Sequence, residues 1–271
     1  MTVANKVAVI TGAGSGIGRA TAHAFVAAGA RVAVCDVDRA RVDALALELG
    51  DRAIVATTVD VADRTAFAAF ADEVHRAAPV DYVVNNAGVA IGGSFLDTSL
   101  DDWDWLLGVN LRGVVHGCHF FAPRMVERGA GGHIINISSI FGIYAAPQVT
   151  AYVASKFAVL GLSQSLRTEL APHRIGVTAI CPGMINTSII EGGRMLGGVG
   201  TQRSRLARTF TRGAAPSLVA ATILDAIATN PAVRTVGKDA WAMHQLTRFV
   251  PSVTRGVGAR VAKMFGGARS A

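Results

Sequence analysis

The apolar run Val7-Ala8-Val9-Ile10 gives way to Thr11-Gly12-Ala13-Gly14-Ser15-Gly16-Ile17-Gly18, and a helical-looking stretch, Arg19 to Val26, follows. A short, uninterrupted apolar segment suits a strand buried on both faces, as in a parallel sheet covered by helices. Glycines in the turn supply positive φ or let another backbone approach where a Cβ would clash. Strand, glycine turn and helix in this order lay a pyrophosphate on a helix N-terminus. The spacing is Gly12-x3-Gly16-x-Gly18 and not G-x-G-x-x-G, because Ile17 and Arg19 stand where the last glycine of that pattern would fall.

The same alternation continues along the chain. Strand candidates are Val7–Thr11, Arg31–Asp36, Ala53–Val59, Asp81–Asn85, His133–Ser138 and Ile175–Cys181, with a short one near Arg234-Thr235-Val236. Helical runs lie between them, among them Ala66–Ala77, Val109–Glu127 and Tyr152–Leu170. The repeat predicts an α/β fold: a doubly wound, Rossmann-like parallel sheet in a three-layer α/β/α arrangement. With 271 residues, half of them hydrophobic and no Pro/Ser-rich linker, the expectation is a single domain over 1–271. Strand one begins almost at Met1, leaving no room for a secretory signal, and no apolar run approaches a ~18-residue span. Cys35, Cys118 and Cys181 fall in or beside buried elements and read as core thiols of a reducing, cytoplasmic compartment. His116 and His119 flank Cys118 on a helix without matching ligands elsewhere, so no metal site is expected.

Tyr152 and Lys156 carry the most chemical information. Spacing i, i+4 at the start of a helix places both on one face. A free phenol titrates near ~10, and a fixed ammonium beside it lowers that value and makes a usable general acid/base. Ser139 ends a preceding strand, where its hydroxyl can reach the same point; alternation sends Ser138 to the other side.

Taken in order, Thr11-Gly12-x3-Gly16-x-Gly18, Asp60, Asn85-Asn86-Ala87-Gly88, Asn110, Ser139, Tyr152-x3-Lys156 and Pro182-Gly183 make the chain resemble the single-domain short-chain dehydrogenases/reductases, from Lys6 to about Val236. The resemblance implies a nicotinamide cofactor held by Gly12, Ser15, Gly16, Ile17 and Gly18, with Asp60 and Val61 bracketing adenine. It also implies backbone contacts from Asn86, Ala87 and Gly88, and a nicotinamide-side loop of Pro182, Gly183 and Thr187. Tyr152 becomes the acid/base, Ser139 orients the substrate oxygen, and Lys156 also holds the nicotinamide ribose. Asn110 resembles the residue that holds a water against that lysine. Asp36 ends strand two, where an acid takes a ribose 2′-hydroxyl and repels a 2′-phosphate. The positions that carry a basic residue in phosphate-accepting relatives are Ser15 and Val37 here, so NAD is expected over NADP; Arg39 and Arg41 read as solvated on the next helix.

Ile91, Phe95, Leu96, Ile140, Phe141, Ile143 and Met184 suggest an apolar pocket, hence a hydrophobic secondary alcohol and its ketone. The lid expected at about 184–213 carries Arg194, Arg203, Arg205, Arg208 and Arg212 against Glu191 alone. Two other readings remain: a reductase of an anionic, acyl-CoA-like substrate, and a non-catalytic dinucleotide-binding regulator. From Glu191 onward there are twelve Lys/Arg against three Asp/Glu within a chain of net charge +7. No interleaved stacking aromatics accompany them, so nucleic acid is not an expected partner. The extension at about 237–271 is basic and amphipathic; packing on a neighbouring subunit or over the pocket is expected ahead of peripheral membrane contact. Apolar residues at Val159, Leu160, Leu162 and Leu166 exceed what burial on the sheet requires, which with the resemblance implies a homo-oligomer, dimer or tetramer.

Overall fold

The structure is a computed structural model that describes residues 3–249. Among the described residues nine strands are formed: β1 (Val7–Thr11), β2 (Arg31–Asp36), β3 (Ala53–Thr58), β4 (Tyr82–Asn85), β5 (Ile91–Gly92), β6 (Gly132–Ile137), β7 (Ile175–Pro182), β8 (Arg194–Met195) and β9 (Val233–Val236). The helices are α1 (Gly16–Ala27), α2 (Arg39–Leu49), α3 (Arg64–Ala77), α4 (Leu100–Leu107), α5 (Gly113–Arg128), α6 (Thr150–Leu170), α7 (Gly197–Gly200), α8 (Arg203–Phe210), α9 (Pro216–Thr229) and α10 (Lys238–Phe249). Seven strands build one sheet in the order β3-β2-β1-β4-β6-β7-β9, every neighbouring pair parallel. The order reverses between β1 and β4, which opens a crevice at the carboxyl ends of those strands.

Strand alternation divides the core in two. Ala8, Ile10, Val32, Val34, Val84 and Ile135 pack on one side, against Phe25 of α1, Leu45 of α2 and Ile223 of α9. Val9, Ala33, Val83, Ile134 and Val177 pack on the other, against Phe67 and Phe70 of α3, Phe121 of α5 and Val159 of α6. The result is the three-layer α/β/α fold that the alternating sequence implies. All three cysteines are free and buried. Among the described residues no helix is long and apolar enough to cross a membrane.

The helical run expected over Val109–Glu127 begins earlier, at Leu100, and is not regular. A wide π-type turn, Gly108–Arg112, stands between α4 and α5, and Gly108 and Gly113 let it press on Ala62 and Val61. Part of the segment after β7, expected as a lid, pairs with the body: β8 runs parallel to β5, with Ile91 opposite Arg194 and Gly92 opposite Met195, while α8 has no buried residue. A Cβ on Gly92 would fall 2.8 Å from the Met195 sulfur, and one on Gly93 2.9 Å from the Leu196 Cβ. The first part of the C-terminal extension is α10; its remainder, from Val250 on, lies outside the described residues.

His133 of β6 is buried and pairs with the Thr178 hydroxyl at 2.8 Å. Burial, and after it the Arg167 charge, holds this imidazole down at about 4. The unfolded ring binds a proton near 6.5 while the folded one resists it, so stability should fall as pH drops from 6.5 towards 4. His133→Gln removes the titrating group and should flatten that decline. Urea midpoints at neutral pH and at about pH 4.5 measure it, and an unaltered acid limb would place the effect elsewhere.

Candidate active site

The glycine turn between β1 and α1 is tightly packed against the loop after β4. Gly12 and Gly16 have φ of 62° and 50°, in the left-handed region. A Cβ on Gly18 would lie 2.1 Å from the Gly12 carbonyl oxygen, and one on Gly12 2.7 Å from the Ala87 Cα. Asn86 ties the two segments together: its Nδ2 donates to the Thr11 and Gly12 carbonyls at 2.9 and 3.0 Å. Thr11 Oγ1 in turn accepts the Asn86 and Ala87 N–H groups at 3.0 and 3.1 Å. This role for Thr11 has no signal in spacing, because it depends on β1 and β4 lying side by side. Gly18→Ala should force the turn open and weaken NADH binding at least ~10-fold, read by fluorescence titration. Unchanged NADH affinity would count against this turn as the dinucleotide cradle.

Asp36 turns its carboxylate back to the same turn. Its Oδ2 accepts the Gly14 N–H at 2.9 Å and its Oδ1 the Asp38 N–H at 3.1 Å. Arg41 is less remote than its place on α2 suggests: its Cβ would meet a Cβ on Gly14 at 2.6 Å, although its guanidinium pairs with Asp38 at 3.0 Å. Val37 is 68% exposed beside it. Asp60 is exposed and accepts the Ala62 N–H at 2.9 Å, while Val61 is buried and its carbonyl oxygen is bonded by His116 at 2.9 Å. Ser15 caps α1 without a side-chain hydrogen bond, and Ile17 packs on the core beneath. Pro182 ends β7 and Gly183 follows it, and Thr187 folds back so that its Cγ2 would stand 3.0 Å from a Cβ on Gly16.

Asn110, Ser139, Tyr152 and Lys156 converge at the other end of the crevice. The π-type turn buries Asn110, whose Oδ1 accepts the Val89 N–H at 2.8 Å; its Nδ2 donates to the Val89 carbonyl and the Ser155 hydroxyl at 2.9 and 3.1 Å. A Cβ on Gly88 would stand 3.4 Å from both Asn110 Oδ1 and Lys156 Nζ, so the missing side chain leaves room between them. Lys156 Nζ lies 5.6 Å from the centroid of the Tyr152 ring and donates to the Ile137 carbonyl at 3.0 Å. Ser139 accepts the Phe141 N–H at 3.1 Å, and Ser138 points away, donating to the Lys156 carbonyl at 2.8 Å.

The electrostatics depart from the expectation that Lys156 lowers the Tyr152 pKa. Burial pushes the Tyr152 phenol up to about 12, with the Ser139 hydroxyl pulling the other way. Burial likewise pushes Lys156 down to about 8, opposed by the nearby Cys181. Lys156 is buried and Tyr152 half-buried, which penalises the charged form of each, and the ammonium donates to a backbone carbonyl.

The wall beside Tyr152 is apolar, and of the residues expected there it keeps Ile91 and also Phe141, whose ring lies 6.3 Å from that of Tyr152. Ile91, Leu106 and Ala151 are buried together, with Trp103, Trp105, Tyr152 and Leu196 packed on them. Phe95 and Leu96, expected in the pocket, are 62% and 82% exposed, because they lie on a short 3-10 turn that faces outward. Arg194 is committed to the body: it meets Asp102 at 2.7 Å and its guanidinium lies 4.1 Å from the centre of Trp105. Arg203 donates to the carbonyl oxygens of Glu191 and Gly193.

A parallel sheet with a switch-point crevice, a glycine turn and a Ser-Tyr-Lys cluster defines a dinucleotide-dependent oxidoreductase class. The profile of the short chain dehydrogenases matches residues 6–194. SadH of Mycobacterium tuberculosis is 40% identical over 270 residues, covering 96% of this chain and 96% of SadH. EphD of Mycobacterium tuberculosis is 40% identical over 256 residues, covering 91% of this chain; the chain spans 43% of the length of EphD. Both relatives are named as oxidoreductases. A short-chain dehydrogenase/reductase of Burkholderia phymatum, solved in complex with NAD, superposes with a TM-score of 0.87 at 30% identity, covering 93% of this chain and 96% of that one. The chain belongs to the short-chain dehydrogenase/reductase family.

Proposed function

We propose that the protein interconverts a hydrophobic secondary alcohol and its ketone with NAD(H), using Tyr152 as general acid/base. The observation that carries this reading is the Tyr152 phenol, held beside Ser139 and Lys156 against the apolar wall of Ile91, Leu106 and Leu196. The crevice suits a dinucleotide, since its floor admits no Cβ at Gly12, Gly14 or Gly18 and its rim carries Asp36. When bound, the nicotinamide supplies or accepts the hydride. Gly12, Ser15, Gly16, Ile17 and Gly18 line its pyrophosphate side, Asp36 takes the adenosine ribose, and Asp60 and Val61 flank the base. Asn86, Ala87 and Gly88 support the same half; Pro182, Gly183 and Thr187 serve the nicotinamide half. Ser139 donates a hydrogen bond to the substrate oxygen, and Tyr152 takes or returns the proton on that oxygen. Asn110 and Lys156 frame the gap at Gly88 through which a proton can pass to solvent.

Asp36 favours NAD because a 2′-phosphate would meet its carboxylate at close range. The Arg41 stem over Gly14 favours some tolerance of NADP, limited by the Asp38 carboxylate that already holds the guanidinium. The acyl-CoA reading loses support from Arg194 and Arg203, whose side chains are engaged with the protein itself. The test is an NADH-absorbance screen against secondary alcohols of graded hydrophobicity. Turnover that rises with apolar surface supports the reading. Tight NADH binding without turnover on any alcohol or ketone would favour the regulator.

A further inference from the structure

Asp239 stands in the first turn of α10, 55 residues beyond the loop that it touches. Its Oδ2 accepts the Met184 N–H at 2.9 Å. A Cβ on Gly183 would fall 2.1 and 2.3 Å from the two carboxylate oxygens, so the carboxylate occupies the space that residue 183 leaves by lacking a side chain. Gly237, with φ of 96°, offers the same concession from the other side, since a Cβ there would meet Asp239 Oδ1 at 2.5 Å. The Gly183 N–H is itself bound to the Val236 carbonyl at 2.9 Å. Two glycines thus close around one carboxylate, and that carboxylate fixes the path of the chain from Pro182 to Met184. The same loop carries Thr187 back over Gly16, and α10 also contacts the Ile140–Gly142 turn that follows Ser139.

We propose that Asp239 is a positioning residue for the nicotinamide half of the cofactor site, acting through Gly183 and Met184. The inference rests on the reading that Pro182, Gly183 and Thr187 meet that half. A carboxylate that accepts a backbone N–H sets the loop more firmly than a neutral acceptor, and removing it leaves the Met184 N–H without its partner. The adenosine half, built on Asp36 at the end of β2 and the Asp60–Val61 segment after β3, lies at the opposite edge of the sheet from β9, which leads into α10.

The test compares NADH with ADP-ribose, which lacks the nicotinamide end, by calorimetric titration of the whole chain. Asp239→Ala should weaken NADH about tenfold, on the scale of one lost charge-assisted hydrogen bond, and leave ADP-ribose within about twofold. Asp239→Asn keeps an acceptor oxygen in place and should recover most of the NADH affinity. Gly183→Ala should harm the wild-type background but add little to Asp239→Ala, because the clashing carboxylate is then gone. Equal loss of both ligands in Asp239→Ala, or an unchanged ratio between them, would overturn the inference while leaving the cofactor reading intact. A wild-type chain that binds neither NADH nor NADPH would overturn both.

Discussion

Tyr152→Phe should lower turnover at least ~100-fold in either direction, the scale of a lost general acid/base, while NADH affinity changes little. The ring keeps its place against Phe141 and the Ile91–Leu106 cluster, so the fold and the cofactor groove are undisturbed. Only the proton relay is removed. A phenol held at about 12 is almost wholly protonated at neutral pH, so it is available to give a proton to a ketone oxygen and rarely free to take one from an alcohol. Wild-type oxidation should therefore climb with pH across the neutral and alkaline range, as the phenolate fraction grows, and reduction should not share that rise. Initial rates in both directions over a pH series provide the measurement. Normal turnover by the phenylalanine variant would remove Tyr152 from the mechanism.

The second large effect is expected at the adenosine end. Replacing Asp36 with Ala and Val37 with Arg should move the preference from NAD towards NADP, by removing a repulsion and adding a phosphate partner. Val37 is exposed at the rim, so an arginine there costs no packing. Because Asp36 also accepts the Gly14 and Asp38 N–H groups, the variant should lose some affinity for NAD as well. The kcat/KM values for both cofactors, before and after substitution, decide the matter. A wild-type preference for NADP would refute the reading of Asp36 and shift attention to Arg41.

The strands and the reactive side chains were legible in the sequence because each depends on local pattern. Apolar runs located all seven sheet strands to within a residue or so, and i, i+4 spacing placed Tyr152 and Lys156 on one face of α6. What escaped depends on contacts between distant segments. Thr11 bonds a loop 75 residues away, and Asn85, Asn136 and Ser163 form a buried chain of hydrogen bonds across β4, β6 and α6. The sign of the Tyr152 shift escaped for a related reason. Sequence gives the distance between two residues along a helix but not how much protein closes over them, and here burial outweighs the neighbouring charge. Phe95 and Leu96 lie outside the buried wall because hydrophobicity alone does not say which way a short turn faces.

The π-type turn at Gly108–Arg112 holds one residue more than an α-helix would need, and Asn110 is buried inside it. Each residue of an α-helix advances the side chains by about 100° around the axis. A turn closed by bonds to the fifth residue advances each residue by less, so it takes up the extra one without carrying α5 out of phase with α4. Phe121 and Met125 therefore stay on the sheet side while Asn110 reaches Val89. The extra residue lets an asparagine be inserted into a helical run without turning the layer that packs behind it.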